Sequence, residues 1–405
     1  MAPAHSGTAA RSARLVCATV EGDQPMPSAL DPADTLPGDV GDGRALRVLI
    51  TGAAGFVGSH LCEALLAGGH DVVGLDGFVA SCARPLKEGN LAGAWSHPRF
   101  RFCERDLAAD PLEGCLDGID VVVHLAAMAG LPRSWKEYQL YVDCNVIATQ
   151  RLLEGCRNAS LAKLVHISTS SVYGLDAVGD ETCPTRPVSP YGVTKLAAER
   201  LVLAYVANHG VPATILRLFS IYGPRQRPDM AYNIFIDALR NGRPLTVFGD
   251  GLQSRSNTFI SDCVRGTIQA IHGAEVGEIY NIGGREPIIL NQAIEWISEC
   301  LGVSPVVVNA PGRPGDQRHT LADTAKARAS FGYRPRVPPR LGLRLQTAWQ
   351  LGATGRPAVG RPVHLSHESP RPVPPPTNAD PVPERTAAAC DRRRPRLSGG
   401  PSDRP

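Results

Sequence analysis

The stretch TGAAGFVGSHL (51–61) sets Gly52, Gly55 and Gly58 where an apolar strand gives way to a helix-period segment. That context suits a phosphate-cradling turn. Gly52 allows the tight turn, Gly55 lets backbone approach a pyrophosphate, and Gly58 lets the helix pack on the strand, with the helix N-terminus adding partial positive charge. The spacing is G-x-x-G-x-x-G, not the commonest dinucleotide form. Asp76 ends the next apolar run, 18 residues after Gly58. There its carboxylate can accept hydrogen bonds from adenosine ribose hydroxyls and repel a 2′-phosphate, so NAD is expected over NADP. Asp106 closes a third run, within reach of an adenine amine. A second pair, Tyr191 and Lys195, forms Y-x-x-x-K at the start of a helix, on one face of it. A free tyrosine, pKa ~10, is a poor base at neutral pH, and lowering it by ~3 units takes roughly 4 kcal/mol. An ammonium and a positively charged nicotinamide ring can share that task.

About twenty residues before Tyr191, LVHISTSSVYG (164–174) ends a strand-like run in four hydroxyls, Ser168 to Ser171. Taken alone, such a run reads as a strand end bonded to its own loop. His60, His124 and His166 lie in helix or strand contexts that favour packing over metal. The eleven cysteines include no C-x-x-C pair and no zinc spacing, which points to reduced thiols in the cytoplasm and to no metal site. No run approaches the ~20 apolar residues of a membrane span, and LVCATV (15–20) is too short for a signal-peptide core.

These groups need a scaffold, and 405 residues can bury a sizeable core. Short apolar runs at 45–51, 70–76, 99–106, 119–126, 162–168 and 212–218 alternate with helix-period segments such as 58–69 and 191–210. Apolar strands alternating with helices predict an α/β, Rossmann-type, doubly wound parallel sheet covered on both faces. From about 225 the pattern loosens into shorter segments at 244–251, 277–284 and 290–302, expected to form a smaller C-terminal α/β lobe. The expected organisation is a disordered segment over 1–44, a dinucleotide-binding domain with the catalytic residues over 45–224, a mainly substrate-binding lobe over 225–340 and a Pro/Arg-rich, largely disordered tail over 341–405. Residues 356–405 hold nine arginines against five acidic residues, net +4 of the chain's +3, leaving −1 for residues 1–355. A nearly neutral body does not suggest nucleic acid as a partner, and the tail's composition suits a solvated segment.

TGAAGFVGSHL, LD (75–76), HLAA (124–127), STSSVYG (168–174), SPYGVTK (189–195) and YGPRQRPDM (222–230) together resemble the extended short-chain dehydrogenase/reductases that act on nucleotide sugars, over roughly 45–335. Within them the chain looks most like the UDP-glucuronate 4-epimerases. The resemblance implies a catalytic Thr169 beside Tyr191 and Lys195. It implies cofactor contacts at Phe56, Val57, Leu107, Leu125, Ala126, Ala127 and Asn145, beside those already argued. It places the nucleotide diphosphate on Arg255, Arg313 and Asp316, although RSNTF (255–259) departs from the more usual R-D-F, and Arg227 is expected as a further substrate contact. It also implies a homodimer.

The resemblance gives the hydroxyl run a meaning. Dehydratases of the family carry an Asp-Glu pair after the threonine, and its uronate decarboxylases a glutamate just before VYG. Here those positions are Ser170 and Ser171. A site without those carboxyls can oxidise and reduce, but lacks the acid or base for elimination. The resemblance places Ser170, Ser171 and Ser220 around a sugar carboxylate. The expected reaction is NAD-dependent C4 epimerisation of UDP-glucuronate through a 4-keto sugar. A 4-epimerase of a neutral UDP-hexose, or a dehydratase, decarboxylase or ketoreductase of the family, is the alternative.

Overall fold

The computed structural model describes residues 44–79, 82–313 and 316–352. The expected disordered segments lie outside these, apart from Arg44 and residues 341–352. The first half runs β1 (Arg47–Thr51), α1 (Phe56–Ala67), β2 (Asp71–Asp76), β3 (Phe100–Glu104), β4 (Val121–His124), α2 (Ala148–Arg157), β5 (Lys163–Thr169), β6 (Asp176–Gly179), α3 (Pro190–His209) and β7 (Ala213–Leu218). The second runs β8 (Ile221–Tyr222), α4 (Ala231–Arg240), β9 (Leu245–Phe248), β10 (Ser254–Arg255), β11 (Thr258–Phe259), α5 (Ile260–Gly273), β12 (Ile279–Ile282), β13 (Ile288–Ile289), α6 (Leu290–Leu301), β14 (Val307–Ala310), β15 (His319–Ala322) and α7 (Pro339–Gln350).

Seven strands form one parallel sheet in the order β12-β7-β5-β4-β1-β2-β3. The near-continuous apolar runs follow from burial on both faces, because successive side chains of a strand point to opposite sides. Val48 and Ile50 of β1, with Val121 and Val123 of β4, join α1 and α5 in one core. Leu49 and Val122, one residue out of phase, join Leu152 of α2 and Val202 of α3 in the other. The order reverses between β1 and β4, and ligands of such sheets bind beyond the carboxyl ends of the strands at that switch point.

The boundary expected at 224/225 is crossed in both directions. β12 adds to the large sheet beside β7, while β6, from the first half, pairs with β15 in a small sheet ordered β13-β10-β15-β6. The second half therefore grips the first through shared sheets. The expected tail also begins later than 341: α7 continues to Gln350. Its Leu343 and Leu345 are buried, and the buried Gln346 side chain accepts a hydrogen bond from the Gly223 N–H at 2.9 Å. Arginines at 340 and 344 interrupt the apolar pattern there, which hid the helix. Among the described residues no helix is long and apolar enough to cross a membrane.

Candidate active site

The β1–α1 turn is shaped by its glycines. Gly52 has φ +72°, and a Cβ on it would lie 2.8 Å from the Ala126 nitrogen, so the post-β4 chain passes directly over it. A Cβ on Gly58 would sit 2.2 Å from the Gly52 carbonyl oxygen. Gly55 caps α1 without a side chain, leaving the first N–H groups of the helix open to an anion. These are the features a pyrophosphate needs. Asp76, buried at the end of β2, accepts the Ala54 N–H at 3.2 Å, the Phe78 N–H at 2.8 Å and the Lys87 ammonium at 3.0 Å. The carboxylate is thus tied to the glycine turn, where a ribose would lie. Asp106 follows β3 by two residues and packs against Gly77, where a Cβ would meet its Cα at 2.7 Å; Leu107 behind it is buried. Leu125 and Ala126 are hung from Thr51 by their N–H groups, and Ala127 continues along the cleft wall.

Asn145, expected to contact cofactor, is fully buried in a π-turn at Asp143–Ile147. Its amide accepts from the Met128 N–H at 2.7 Å and donates to the Met128 carbonyl and the Thr194 hydroxyl, both at 3.0 Å. It therefore clamps the post-β4 loop to the catalytic helix. Helical π-turns often mark such functional positions.

The catalytic helix starts where it does because Ser189 caps it, accepting the Gly192 N–H at 3.1 Å, with Pro190 in its first turn. Gly192 sits so close to the Ser171 carbonyl that a Cβ would approach to 2.7 Å. That contact seats α3 on the turn ending β5 and brings Tyr191 to Thr169. Burial pushes the Tyr191 hydroxyl above its ordinary pKa, against a Thr169 hydrogen bond and the Arg227 charge, which both favour the phenolate. The Lys195 ammonium was expected to favour it. In the structure that ammonium donates to the Ile167 carbonyl at 2.6 Å instead, and burial lowers its pKa to about 8, opposed by Glu199.

A single cleft of about 1960 Å³ joins these groups to the lobe. Gly52, Gly55, Phe56, Val57, Gly58, Leu125 and Ala127 line one end. Thr169, Tyr191, Lys195, Ser220 and Arg227 line its middle, and Arg255, Arg313 and Asp316 the other end. Arg227 is held by Asp229 through two bonds, at 2.9 and 3.0 Å. The Arg313 guanidinium lies 3.4 Å above the Phe248 ring. Asp316 is pushed above its ordinary pKa by burial, with Arg313 and Arg255 opposing the shift, so the three form one cluster. Ser170 and Ser171 stand apart from the cleft lining. The backbone enters a 3₁₀ turn over Ser170–Val172, which sets them behind Thr169, whose Oγ1 accepts the Ser171 N–H at 3.2 Å and donates to the Ser171 hydroxyl at 3.3 Å.

Sequence reasoning missed Phe248, which fell within the short segment 244–251 of the expected lobe, and the buried pair Glu199–Arg217 behind Lys195. No local pattern marked either one, since each matters through a partner on another element. His124 is spent on Thr51 at 2.8 Å and Thr149 at 3.0 Å.

Residues 48–283 match the model of the NAD dependent epimerase/dehydratase family. A Bacillus subtilis (strain 168) protein named as an uncharacterized UDP-glucose epimerase is 42% identical over 309 residues, 75% of this chain and 98% of the relative. The crystal structure of UDP-glucuronic acid 4-epimerase from Bacillus cereus, in complex with UDP-glucuronic acid and NAD, superposes with a TM-score of 0.74 at 42% identity, covering 76% of this chain and all of that one. The dTDP-glucose 4,6-dehydratase DesIV from Streptomyces venezuelae, with NAD bound, gives 0.72 at 32% identity, covering 76% and 98%. With a glycine turn fitted to a dinucleotide, a Thr-Tyr-Lys constellation beside it and matches of this extent, the chain belongs to the NAD dependent epimerase/dehydratase family.

Proposed function

We propose that the protein epimerises C4 of UDP-glucuronate to give UDP-galacturonate. The observation that carries this reading is the convergence of Thr169, Tyr191 and Lys195 at the middle of the cleft, with serines where the family's dehydratases hold carboxyls. Gly52, Gly55 and Gly58 would hold NAD along the turn, and the bound cofactor would supply a reversible acceptor for the C4 hydride. Tyr191 takes the proton of the 4-hydroxyl and later gives it back. Thr169 hydrogen-bonds the same oxygen, and Lys195 holds positive charge beneath it. Arg255 and Arg313 hold the diphosphate while the 4-keto sugar turns its other face.

A 4-keto uronate is a β-keto acid that tends to lose carbon dioxide, so the carboxylate has to be held away from the geometry for cleavage. Hydroxyl donors suit this task because they bind the anion without offering a proton for elimination. Ser220 supplies one on the cleft wall, and Ser170 and Ser171 support Thr169 from behind. Asp229 faces the same end, but both its oxygens are engaged by Arg227. The reading includes a homodimer, supported by exposed Ile147 and Val193 on adjoining helical segments, and a cytoplasmic location, supported by free cysteines among the described residues.

Incubating the pure protein separately with UDP-glucuronate and UDP-glucose, with products resolved by mass spectrometry and NMR, tests the proposal. The expected product is UDP-galacturonate at unchanged mass. A pentose or 4-keto-pentose product would overturn it, and turnover of UDP-glucose alone would move the assignment to a neutral sugar.

A further inference from the structure

Glu199 lies one turn beyond Lys195 on α3, so Tyr191, Lys195 and Glu199 follow one another at four-residue spacing along the helix. Glu199 is fully buried, and a buried carboxylate is costly unless paired and hydrogen-bonded. Arg217 of β7, also buried, donates to it twice, from Nε at 3.0 Å and from Nη2 at 2.8 Å. Ser168 Oγ donates a third bond at 2.5 Å. Arg217 also donates to the Tyr173 hydroxyl at 2.9 Å, which in turn donates to Asn281 of β12 at 2.8 Å. This network fills the space between α3 and the sheet, directly behind the strand end that carries Thr169.

The surroundings of Lys195 show what the carboxylate does. The hydrogen bond from its ammonium to the Ile167 carbonyl brings no countercharge. His124 of β4 and His166 of β5 face it, and burial drives both far below their ordinary pKa, His124 to about 3. They stand as neutral imidazoles near neutral pH. Burial likewise pushes the Tyr191 hydroxyl, on the same helix, above its ordinary pKa, so it brings no settled anion to Lys195. Glu199 supplies the negative charge that opposes the desolvation of Lys195.

We infer that Glu199, held by Arg217 and Ser168, is a positioning residue that keeps Lys195 an ammonium and locks the Thr169 strand end to the catalytic helix. It acts through Lys195. The inference rests on the role given to Lys195 above. Removing Glu199 alone leaves the Arg217 guanidinium as an unpaired buried cation on the same side, and a like charge disfavours the ammonium. Removing both partners restores neutrality without restoring the anion.

Lysine NMR reads this directly, because the chain has only five lysines, at 87, 136, 163, 195 and 326. In the full chain labelled with ¹³C-lysine, Lys195→Met assigns the signal. In Glu199→Gln the Lys195 midpoint is expected to fall by about one pH unit or more, a tenfold change in acid constant. In Glu199→Gln/Arg217→Met it falls less. The alkaline limb of kcat/KM should move in the same order. An unchanged Lys195 midpoint in folded variants, with only Tm lowered, would overturn the inference. Should the single variant not fold, the double variant, which leaves no unpaired guanidinium, decides by the same midpoint. A wild type that turns over no nucleotide sugar would defeat the function proposed above, while the NMR midpoint would still judge this inference.

Discussion

The two ends of the cleft are made of different material. At the cofactor end the walls are mostly backbone: the glycine turn, the uncapped start of α1, and a post-β4 chain pressed against Gly52. At the lobe end they are side chains: Arg255 on β10, Arg313 stacked on Phe248 of β9, and Asp316 before β15. A backbone site is controlled by whether an extra atom fits, so substitutions there act on folding and on cofactor together. A side-chain site is controlled by charge and hydrogen bonding, so substitutions there change affinity and leave the scaffold alone. Between them stands the Thr169–Tyr191 pair, which belongs to neither and would carry the proton transfer of the proposed reaction.

The strongest challenge to this division is Tyr191→Phe. It removes the proton acceptor and is expected to lower kcat by about 10²–10⁴-fold, with Tm and bound NAD unchanged; loss of cofactor would mean the tyrosine also belongs to the backbone-built end. Gly58→Ala comes next. Its Cβ would collide with the Gly52 carbonyl, so thermal denaturation should show a loss of roughly 1–3 kcal/mol together with loss of NAD co-purifying with the protein. An alanine variant that keeps both would show that α1 can lift without consequence. Arg255→Gln sharpens the contrast from the other end. Removing one charged hydrogen bond of about 1.5–3 kcal/mol should raise the KM for nucleotide sugar by about 10–100-fold, measured with NAD content and Tm held at wild-type values.

The smallest effect separates charge from packing at Lys195. Its folded pKa, about 8, lies below the ordinary lysine value of 10.5. The unfolded chain therefore binds more protons between those limits, and this group's contribution to stability rises with pH across that window. The ammonium is lost over the same range, so kcat/KM should fall above about pH 8 while thermal stability gains from this residue. A pH profile flat to pH 10 would show that the positive charge is dispensable.

The legible and hidden parts of the molecule follow the same contrast. Six strands of the large sheet lie within or beside the expected runs, because burial on both faces demands continuous apolar residues and leaves a strong local mark. Gly52, Gly58, Asp76 and the Tyr191–Lys195 pair were readable because each is fixed by short-range sterics or by helical spacing. Phe248 and the Glu199–Arg217 pair were not, since what makes them matter is a partner on another element. The same holds for Asn145, given as a cofactor contact by the family resemblance, whose role as a clamp on the post-β4 loop shows only in the fold. The recess of Ser170 and Ser171 came from one turn of 3₁₀ helix, a choice of backbone that four hydroxyls in a row do not announce.

By itself, the order of residues determined the parallel sheet, the glycine turn and the helix that carries Tyr191 and Lys195 on one face, because each depends on neighbours within one or two elements. Only the tertiary structure decided that β6 and β12 exchange halves, that α7 closes the fold, that Lys195 turns to the Ile167 carbonyl and that a buried carboxylate waits behind it. Those outcomes depend on desolvation and on contacts between separate elements of the chain, and such energies exist only once it has folded.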